Sequence, residues 1–269
     1  MNPLLMSVMS NQRFTAKTNP TMTAAIVDGG SVQDREYIQR CARQTVDQGL
    51  WGNLKLWIDP ALPKLRNSGG VDYVPKLYDL SGNGNNGVQT TEAYQPVWGA
   101  TGLTFDGSDD YIESSLQTIE NLTISLWIKY NDPTYFPYFL FWGNTWLTSN
   151  IYLAIVPTNL GYTRIRFWNF TGAQDGAIGT SDTADDNWHL HTFSVSGKNS
   201  SVYVDGEWEA DGTITNNYIN GGVRKIFLAT RATNTVFVDG SLNDIRIYSP
   251  ALTATEIAAI YNQTSYRYA

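Results

Sequence analysis

The chain has 269 residues, of which 42% are hydrophobic, 13% aromatic and only 16% charged, and its formal net charge is −7. An acidic chain without a run of Lys and Arg cannot replace the counterions around phosphates, which excludes a nucleic-acid partner. The single cysteine, Cys41, excludes an intrachain disulfide, and no apolar run approaches the roughly 18 residues that suggest a membrane span.

The first part of the chain predicts an arm and a helix. Residues 1–30 show no sustained periodicity and predict an extended arm. The next stretch predicts an amphipathic helix, with Ser31 as N-cap, Asp34 at the capping-box position and Gly49 at its end. Because neither element has a core of its own, residues 1–50 are predicted to be a docking segment that contacts other subunits.

Beyond the helix the pattern changes to short strands separated by Gly, Asn, Asp and Pro. The first strand, 54–59, is expected to stop at Pro60, and 67–70 is expected to be a loop. Further strands are predicted at 103–105, 111–113, 123–130, 139–142, 151–155, 163–168, 188–194, 201–204, 225–229, 236–238 and 242–248. Many short strands with turn residues between them predict an all-β sandwich, and a capping box at Thr253 and Glu256 predicts a short closing helix.

Six motifs follow one another in a specific order along the chain. They are LWID with LYDLSGNGNNG (56–59 and 77–87), LTFDGSDDYI (103–112), TISLWIK (123–129), WH (188–189) with VYVDG (202–206), DGSLNDIRIY (239–248) and LTATEI (252–257). Each is weak alone, but together they resemble laminin-G-like domains of the concanavalin A-like lectin and glucanase superfamily. The resemblance implies a jelly-roll sandwich of two antiparallel sheets over residues 51–269.

The segment ahead of this sandwich carries a second resemblance. Residues 25–32, the helix and 49–54 are similar to a linker found before lectin-like domains in tailed-phage virion proteins. This implies a virion structural protein that decorates the capsid or belongs to the tail or fibre. It would dock on major capsid or tail proteins and form a homo-oligomer. Met1 to Ser10 lack signal-peptide features, which agrees with a location in the virion. The alternative is a carbohydrate-binding adhesin or receptor-binding module.

Calcium is the metal that the motifs suggest, because its ligands are oxygens. The resemblance implies that relatives often bind calcium near one edge of the sandwich. The predicted ligands are Asp106, Asp109, Asp110, Asn243 and Asp244. The alternative interpretation is that these side chains cap turns.

An aromatic-rich stretch offers candidates for sugar binding, since exposed rings stack on sugars beside hydrogen-bonding side chains. The candidates are Tyr135, Phe136, Tyr138, Trp142 and Trp146. The same stretch fits a core or a subunit interface, and this interpretation is slightly preferred.

No catalytic residues are predicted. The acidic run at 207–211 alternates and would place three carboxylates on one sheet face, but it does not match a glycoside hydrolase motif. His189 and His191 lack a third metal ligand and are expected to have packing or surface roles. The protein is therefore predicted not to be an enzyme.

Overall fold

The computed structural model describes residues 32–99, 101–117, 119, 121–130, 138–143, 152–157, 163–168, 174–214, 223–230 and 236–268. The predicted arm and the N-cap Ser31 lie outside these ranges. Within them, helix α1 (Val32–Asp47) precedes all the strands, and helix α2 (Ala254–Thr264) follows them. None of the helices in the described ranges has the length and apolarity to cross a membrane.

The strands, in chain order, are β1 (Leu54–Ser68), β2 (Val71–Asp79), β3 (Gly87–Val88), β4 (Val97–Gly99), β5 (Gly102–Asp106), β6 (Ile112–Gln117), β7 (Leu122–Lys129), β8 (Leu140–Trp142), β9 (Tyr152–Pro157), β10 (Thr163–Trp168), β11 (Gln174–Asp175), β12 (Trp188–Ser196), β13 (Asn199–Val204), β14 (Glu207–Thr213), β15 (Val223–Leu228) and β16 (Asp239–Tyr248). Short 3-10 helices lie at Trp51–Asn53, Glu92–Tyr94 and Ser265–Arg267. The strands predicted from alternation and turn residues are therefore mostly confirmed.

Thirteen strands form one hydrogen-bonded sheet in the order β14-β13-β12-β7-β16-β5-β4-β2-β3-β6-β15-β8, and β1 pairs with both β16 and β2. Its pairings are antiparallel, as are those of the separate sheet β11-β10-β9. Ile124 of β7 and Phe193 of β12 share one apolar cluster with Ile226 of β15 and Leu140 of β8. Since distant parts of the strand order share a core, the sheet folds over itself into the predicted jelly-roll-like sandwich.

The two helices cover the outer face of this sandwich. On β7, Leu126 and Ile128 belong to the first cluster, whereas Trp127 between them belongs to a second one on the opposite face. The helices contribute these buried residues to the second cluster: Tyr37, Ile38, Cys41 and Ala42 from α1, and Ile257 and Ile260 from α2. The capping box of α2 is confirmed, since Thr253 and Glu256 exchange both hydrogen bonds.

This packing corrects the prediction that the apolar stripe of α1 lies on another subunit. The stripe covers the sandwich of its own chain instead of a neighbouring subunit. Polar contacts fix it there, since Tyr37 donates a hydrogen bond to Asp244 (3.0 Å) and Gln263 of α2 donates one to the carbonyl of Cys41 (3.0 Å). Of the predicted docking segment, the residues before 32 lie outside the described ranges, so their contacts stay a prediction.

The start of the sandwich differs from the expected boundaries. Strand β1 continues through Pro60 and Pro63. Ile58 pairs with Ile245 of β16 and with Asp79 of β2, and the pairing with β2 resumes at Pro63 after a register shift. Proline is tolerated at such an irregularity, because the regular ladder of hydrogen bonds is interrupted there. Of the predicted loop at 67–70, Asn67 and Ser68 belong to β1, and Gly69 and Gly70 form a tight hairpin turn into the unpredicted β2. The predicted strand 236–238 is reduced to one bridge at Phe237.

Candidate ligand-binding surface

The turn between β5 and β6 brings three aspartates together. Asp106, Asp109 and Asp110 each place one carboxylate oxygen within 4.8 Å of the others. Asp106 Oδ1 accepts hydrogen bonds from the backbone N–H groups two and three residues later (2.8 and 3.4 Å). A Cβ on Gly107, whose φ is +74°, would lie 3.0 Å from the Cβ of Asp239. The turn, here named the acidic loop (106–110), is therefore held tightly against the start of β16.

Asp110 is the buried member of the acidic loop, with 6% of its surface exposed. Burial, together with the charges of Asp106 and Asp109, raises the pKa of Asp110 to about 6, although a hydrogen bond from the N–H of Asp106 (3.2 Å) opposes this rise. Within the described residues, no Lys or Arg forms an ion pair with these carboxylates. Three clustered carboxylates without a neutralising cation fit the oxygen ligand set of Ca²⁺.

The other two predicted calcium ligands belong to different contacts. Asn243 is fully buried, donates to the carbonyl of Thr101 (2.6 Å) and accepts from the N–H of Asp244 (2.8 Å). Asp244 forms a bidentate pair with Arg246, at 2.7 and 2.6 Å. The charge of Asp244 is therefore compensated under the helices. Among the described residues, only the three aspartates of the acidic loop lie close enough together to be candidate ligands.

Two tyrosines that the sequence did not single out lie beside the acidic loop. Tyr111 follows the loop directly and donates its N–H to the carbonyl of Tyr94 (3.2 Å). Their ring centroids are 6.0 Å apart, and 37% of Tyr94 is exposed. The ring of Tyr111 also lies 6.4 Å from Phe227, whose β15 neighbour Lys225 pairs with Glu113 at 2.7 Å. Tyr94 and Tyr111, here named the tyrosine surface, offer partly exposed rings next to carboxylates.

The position of Tyr111 immediately after Asp110 was a signal that could have identified it. Tyr94 had no such signal, because it lies in a separate element, the 3-10 helix Glu92–Tyr94, and meets Tyr111 only in the folded chain.

The aromatic stretch predicted from sequence is placed differently. Tyr138 and Trp142 are 5% and 0% exposed and lie in the interior, so a sugar could not reach their rings. Tyr138 packs edge-on against Phe141 at 6.4 Å. For these two residues the structure supports the core alternative. Tyr135, Phe136 and Trp146 lie outside the described residues, and their role stays a prediction.

The two histidines occupy separate environments. His189 lies between Asp205 (Nδ1 to Oδ2, 2.7 Å) and Asp185 (Nε2 to Oδ1, 3.3 Å), and the hydrogen bond with Asp205 raises its pKa. His191 is 1% exposed, and burial lowers its pKa to about 3, so it is neutral at pH 7. A buried neutral imidazole and a carboxylate-bound one do not form a pair of metal ligands.

The acidic run on β14 does not keep its predicted alternation. Val202 and Tyr203 of β13 oppose Ala210 and Trp208, so Glu209 is an extra, bulged residue. The Oε2 atom of Glu209 accepts hydrogen bonds from the backbone N–H groups at 180 and 181 (2.9 and 3.4 Å). The carboxylates of the run therefore do not share one face, contrary to the prediction, and one of them is engaged in holding a neighbouring loop.

Comparison with known proteins agrees with this architecture. Residues 106–258 match the family model described as the concanavalin A-like lectin/glucanases superfamily. No curated protein sequence gives a significant match.

Among solved structures, the binding domain of Paraclostridial Mosquitocidal Protein 1 is similar with a TM-score of 0.56 and 18% identity, over 80% of this chain and 53% of that one. The botulinum neurotoxin serotype D ligand-binding domain in complex with N-acetylneuraminic acid has a TM-score of 0.56 and 16% identity, over 81% and 52% of the two chains. Domain 4 of AbnA, an arabinanase from Geobacillus stearothermophilus, in complex with arabinotriose gives 0.49 and 17%, over 73% and 83%. The chain thus spans about half the length of the two toxin domains, and its likeness to these two domains shows a common fold alone.

Proposed function

The chain belongs to the concanavalin A-like lectin/glucanases superfamily, and we propose that it is a non-catalytic module that binds carbohydrate at the acidic loop and the tyrosine surface. The observation that carries this proposal is that Tyr111, paired with the ring of Tyr94, directly follows the acidic loop, whose carboxylates have no Lys or Arg ion-pair partner among the described residues. Aromatic faces stack on the C–H faces of sugars, and polar groups beside them fix the orientation of a bound ring.

Each part of the surface has a defined task in the proposal. Asp106, Asp109 and Asp110 would hold Ca²⁺, which would attract the oxygen atoms of sugar hydroxyls. Tyr94 and Tyr111 provide the stacking faces. Glu113 and Lys225, paired at 2.7 Å on the neighbouring strands, provide further hydrogen-bonding groups.

Three observations support the absence of catalysis. A retaining glycosidase needs an accessible pair of carboxyl groups about 5–5.5 Å apart, one of them protonated. Asp110 has the raised pKa that a general acid requires, but it is 6% exposed. On β14, Glu209 is held by backbone N–H groups, and hydrogen bonds lower the pKa of Asp211.

Structures of similar fold are compatible with a glycan partner. The serotype D toxin domain was solved with N-acetylneuraminic acid, but this chain spans 52% of that domain. We therefore propose a glycan ligand and leave the sugar to a direct test.

The test is a glycan array with and without calcium. We expect saturable binding that EDTA removes and that Tyr94→Ala weakens at least about tenfold, a loss of about 1.4 kcal/mol. Tyr266→Ala is the matched control, because Tyr266 is 44% exposed but contacts Arg40 of α1. Absence of binding in both buffers, or equal loss in both variants, would contradict the proposal.

A second candidate function is favoured by the sequence of the leading segment, where 25–32 and 49–54 resemble a phage virion linker. We propose that the sandwich is carried on a virion, in the capsid, tail or fibre, with residues before α1 in contact with virion proteins or further copies of the chain. The two proposals are compatible, since repetition on a particle would strengthen a weak glycan site.

Deletion of 1–31 tests the virion role, because this cut leaves α1 in place on the sandwich. We expect loss of incorporation into particles with an unchanged melting temperature. Normal incorporation of the shortened protein would contradict the role.

A further inference from the structure

Trp208 on β14 is the most exposed aromatic side chain among the described residues, at 57%. Covering this indole with a ligand would remove apolar surface from water, which favours binding. The ring is held in one orientation, because its Nε1–H donates a hydrogen bond to Asp211 Oδ1 (3.0 Å). This bond uses the N–H at the edge of the ring, and more than half of the residue's surface stays exposed.

The orientation is a consequence of the bulge at Glu209. In a regular strand, residues three apart point to opposite faces, so Trp208 and Asp211 would be separated. The extra residue restores them to one face, opposite Tyr203 and Ser201 of β13. The bulge therefore brings the indole of Trp208 and the carboxylate of Asp211 onto the same face of the sheet.

Asp211 has a hydrogen-bonding position to spare. Its Oδ1 atom accepts from Ser201 Oγ (2.6 Å) as well as from Trp208, and these bonds lower the pKa of Asp211. Within the described ranges, both of these donors contact Oδ1, and no residue donates a hydrogen bond to Oδ2. An ionised acceptor fixed beside a flat aromatic ring is the combination that recognises a sugar hydroxyl next to a C–H face.

The surrounding charge restricts the kind of sugar. Between residues 199 and 213 the hairpin carries four acidic residues and no Lys or Arg. An anionic sugar would be repelled, whereas a neutral hexopyranose with equatorial hydroxyls would offer donors to the carboxylate and a C–H face to the indole.

We propose that Trp208 and Asp211 form a second carbohydrate-binding site, which takes a neutral hexopyranose. This site is distinct from the tyrosine surface, since β14 and β5, the strand that leads into the acidic loop, are five places apart in the strand order. It needs no metal. A chain with both sites binds a polysaccharide at two points and gains avidity.

The experiment is ¹⁹F NMR of the full chain labelled with 5-fluorotryptophan. The chain has nine Trp residues, and Trp208→Phe assigns the signal of interest. Cellohexaose, mannohexaose and, as the anionic probe, N-acetylneuraminic acid are titrated in EDTA, which removes calcium from the acidic loop. We expect a saturable shift of the Trp208 signal with a neutral hexaose and none with the anionic sugar.

Matched variants test the second site. Asp211→Ala should weaken the neutral hexaose by about tenfold or more, and Tyr266→Ala, which lies outside both proposed sites, should leave its binding unchanged. A Trp208 signal that no neutral hexaose moves, or one that moves equally in Asp211→Ala, overturns the second site. Either result leaves the calcium-dependent site standing, because that site is measured without EDTA and through Tyr94.

Discussion

Two buried carboxylates of this protein, those of Asp244 and Asp110, have opposite electrostatic surroundings. Under the helices, Asp244 accepts hydrogen bonds from Tyr37 and Trp57 (both 3.0 Å) and forms a bidentate pair with Arg246. In the acidic loop, Asp110 is surrounded by other carboxylates and has a raised pKa. The first group is neutralised by the chain itself, whereas the second needs a proton or an external cation.

The difference teaches that a buried aspartate is a structural or a functional residue according to its partners. Asp244 joins α1, β1 and β16 through its contacts, so its role is to hold the helices on the sandwich. Asp110 has no Lys or Arg partner among the described residues, so its burial destabilises the ionised carboxylate. A bound cation would offset this destabilisation.

The largest effect that would test this comparison is expected for Asp244→Ala. The change leaves the buried guanidinium of Arg246 without its counter-charge, which should lower the free energy of unfolding by about 3–5 kcal/mol. Urea denaturation measures it, with Asp106→Ala on the exposed side of the acidic loop as control. A loss under about 1 kcal/mol would show that the pair does not hold the helices.

Calcium binding at the acidic loop should raise the stability of the folded protein. A ligand that binds only the folded state at 100 times its dissociation constant stabilises by about 2.7 kcal/mol. For a domain of this size, that corresponds to a rise of roughly 5–10 °C in melting temperature. Differential scanning calorimetry at pH 7.5 measures the rise, and Asp110→Asn should abolish it. A rise of equal size in that variant would place the cation elsewhere.

The protonation of Asp110 gives a third test in calcium-free buffer. Its pKa is about 6 in the folded state against an ordinary value of 3.8, so the folded state holds the proton more tightly. This contribution to stability is present below pH 4 and is lost as the pH rises from about 4 to about 6. The difference in unfolding free energy between wild type and Asp110→Asn should show that slope, and saturating calcium should reduce it. A difference that is independent of pH would contradict the raised pKa.

The sequence predicts the sandwich well, because its signals are local. Turn residues, alternation and the capping box at Thr253 are each written in a few neighbouring residues. The same holds for the acidic loop, whose three aspartates lie within five positions. Signals of this kind need no knowledge of the tertiary structure.

The errors arise where tertiary contacts decide. A register shift of β16 between Asn243 and Arg246, with φ +40° at Asp244, accompanies the turn of that carboxylate toward the helices. No sequence pattern marks such a bulge. Composition likewise could not show that Trp142 is buried while Tyr94 is exposed, since both lie among aromatic and turn residues.

Tyr94→Ala should have the smallest effect on stability, although its proposed effect on glycan binding is large. Tyr94 lies on a 3-10 helix and 37% of it is exposed, so Tyr94→Ala should change the unfolding free energy by less than about 0.5 kcal/mol. Trp142→Ala, at a fully buried ring, should instead cost about 3–5 kcal/mol. Parallel urea titrations compare the two. If Tyr94→Ala proved as destabilising as Trp142→Ala, the ring would be part of the core, and weaker glycan binding in that variant would report unfolding instead of a lost contact.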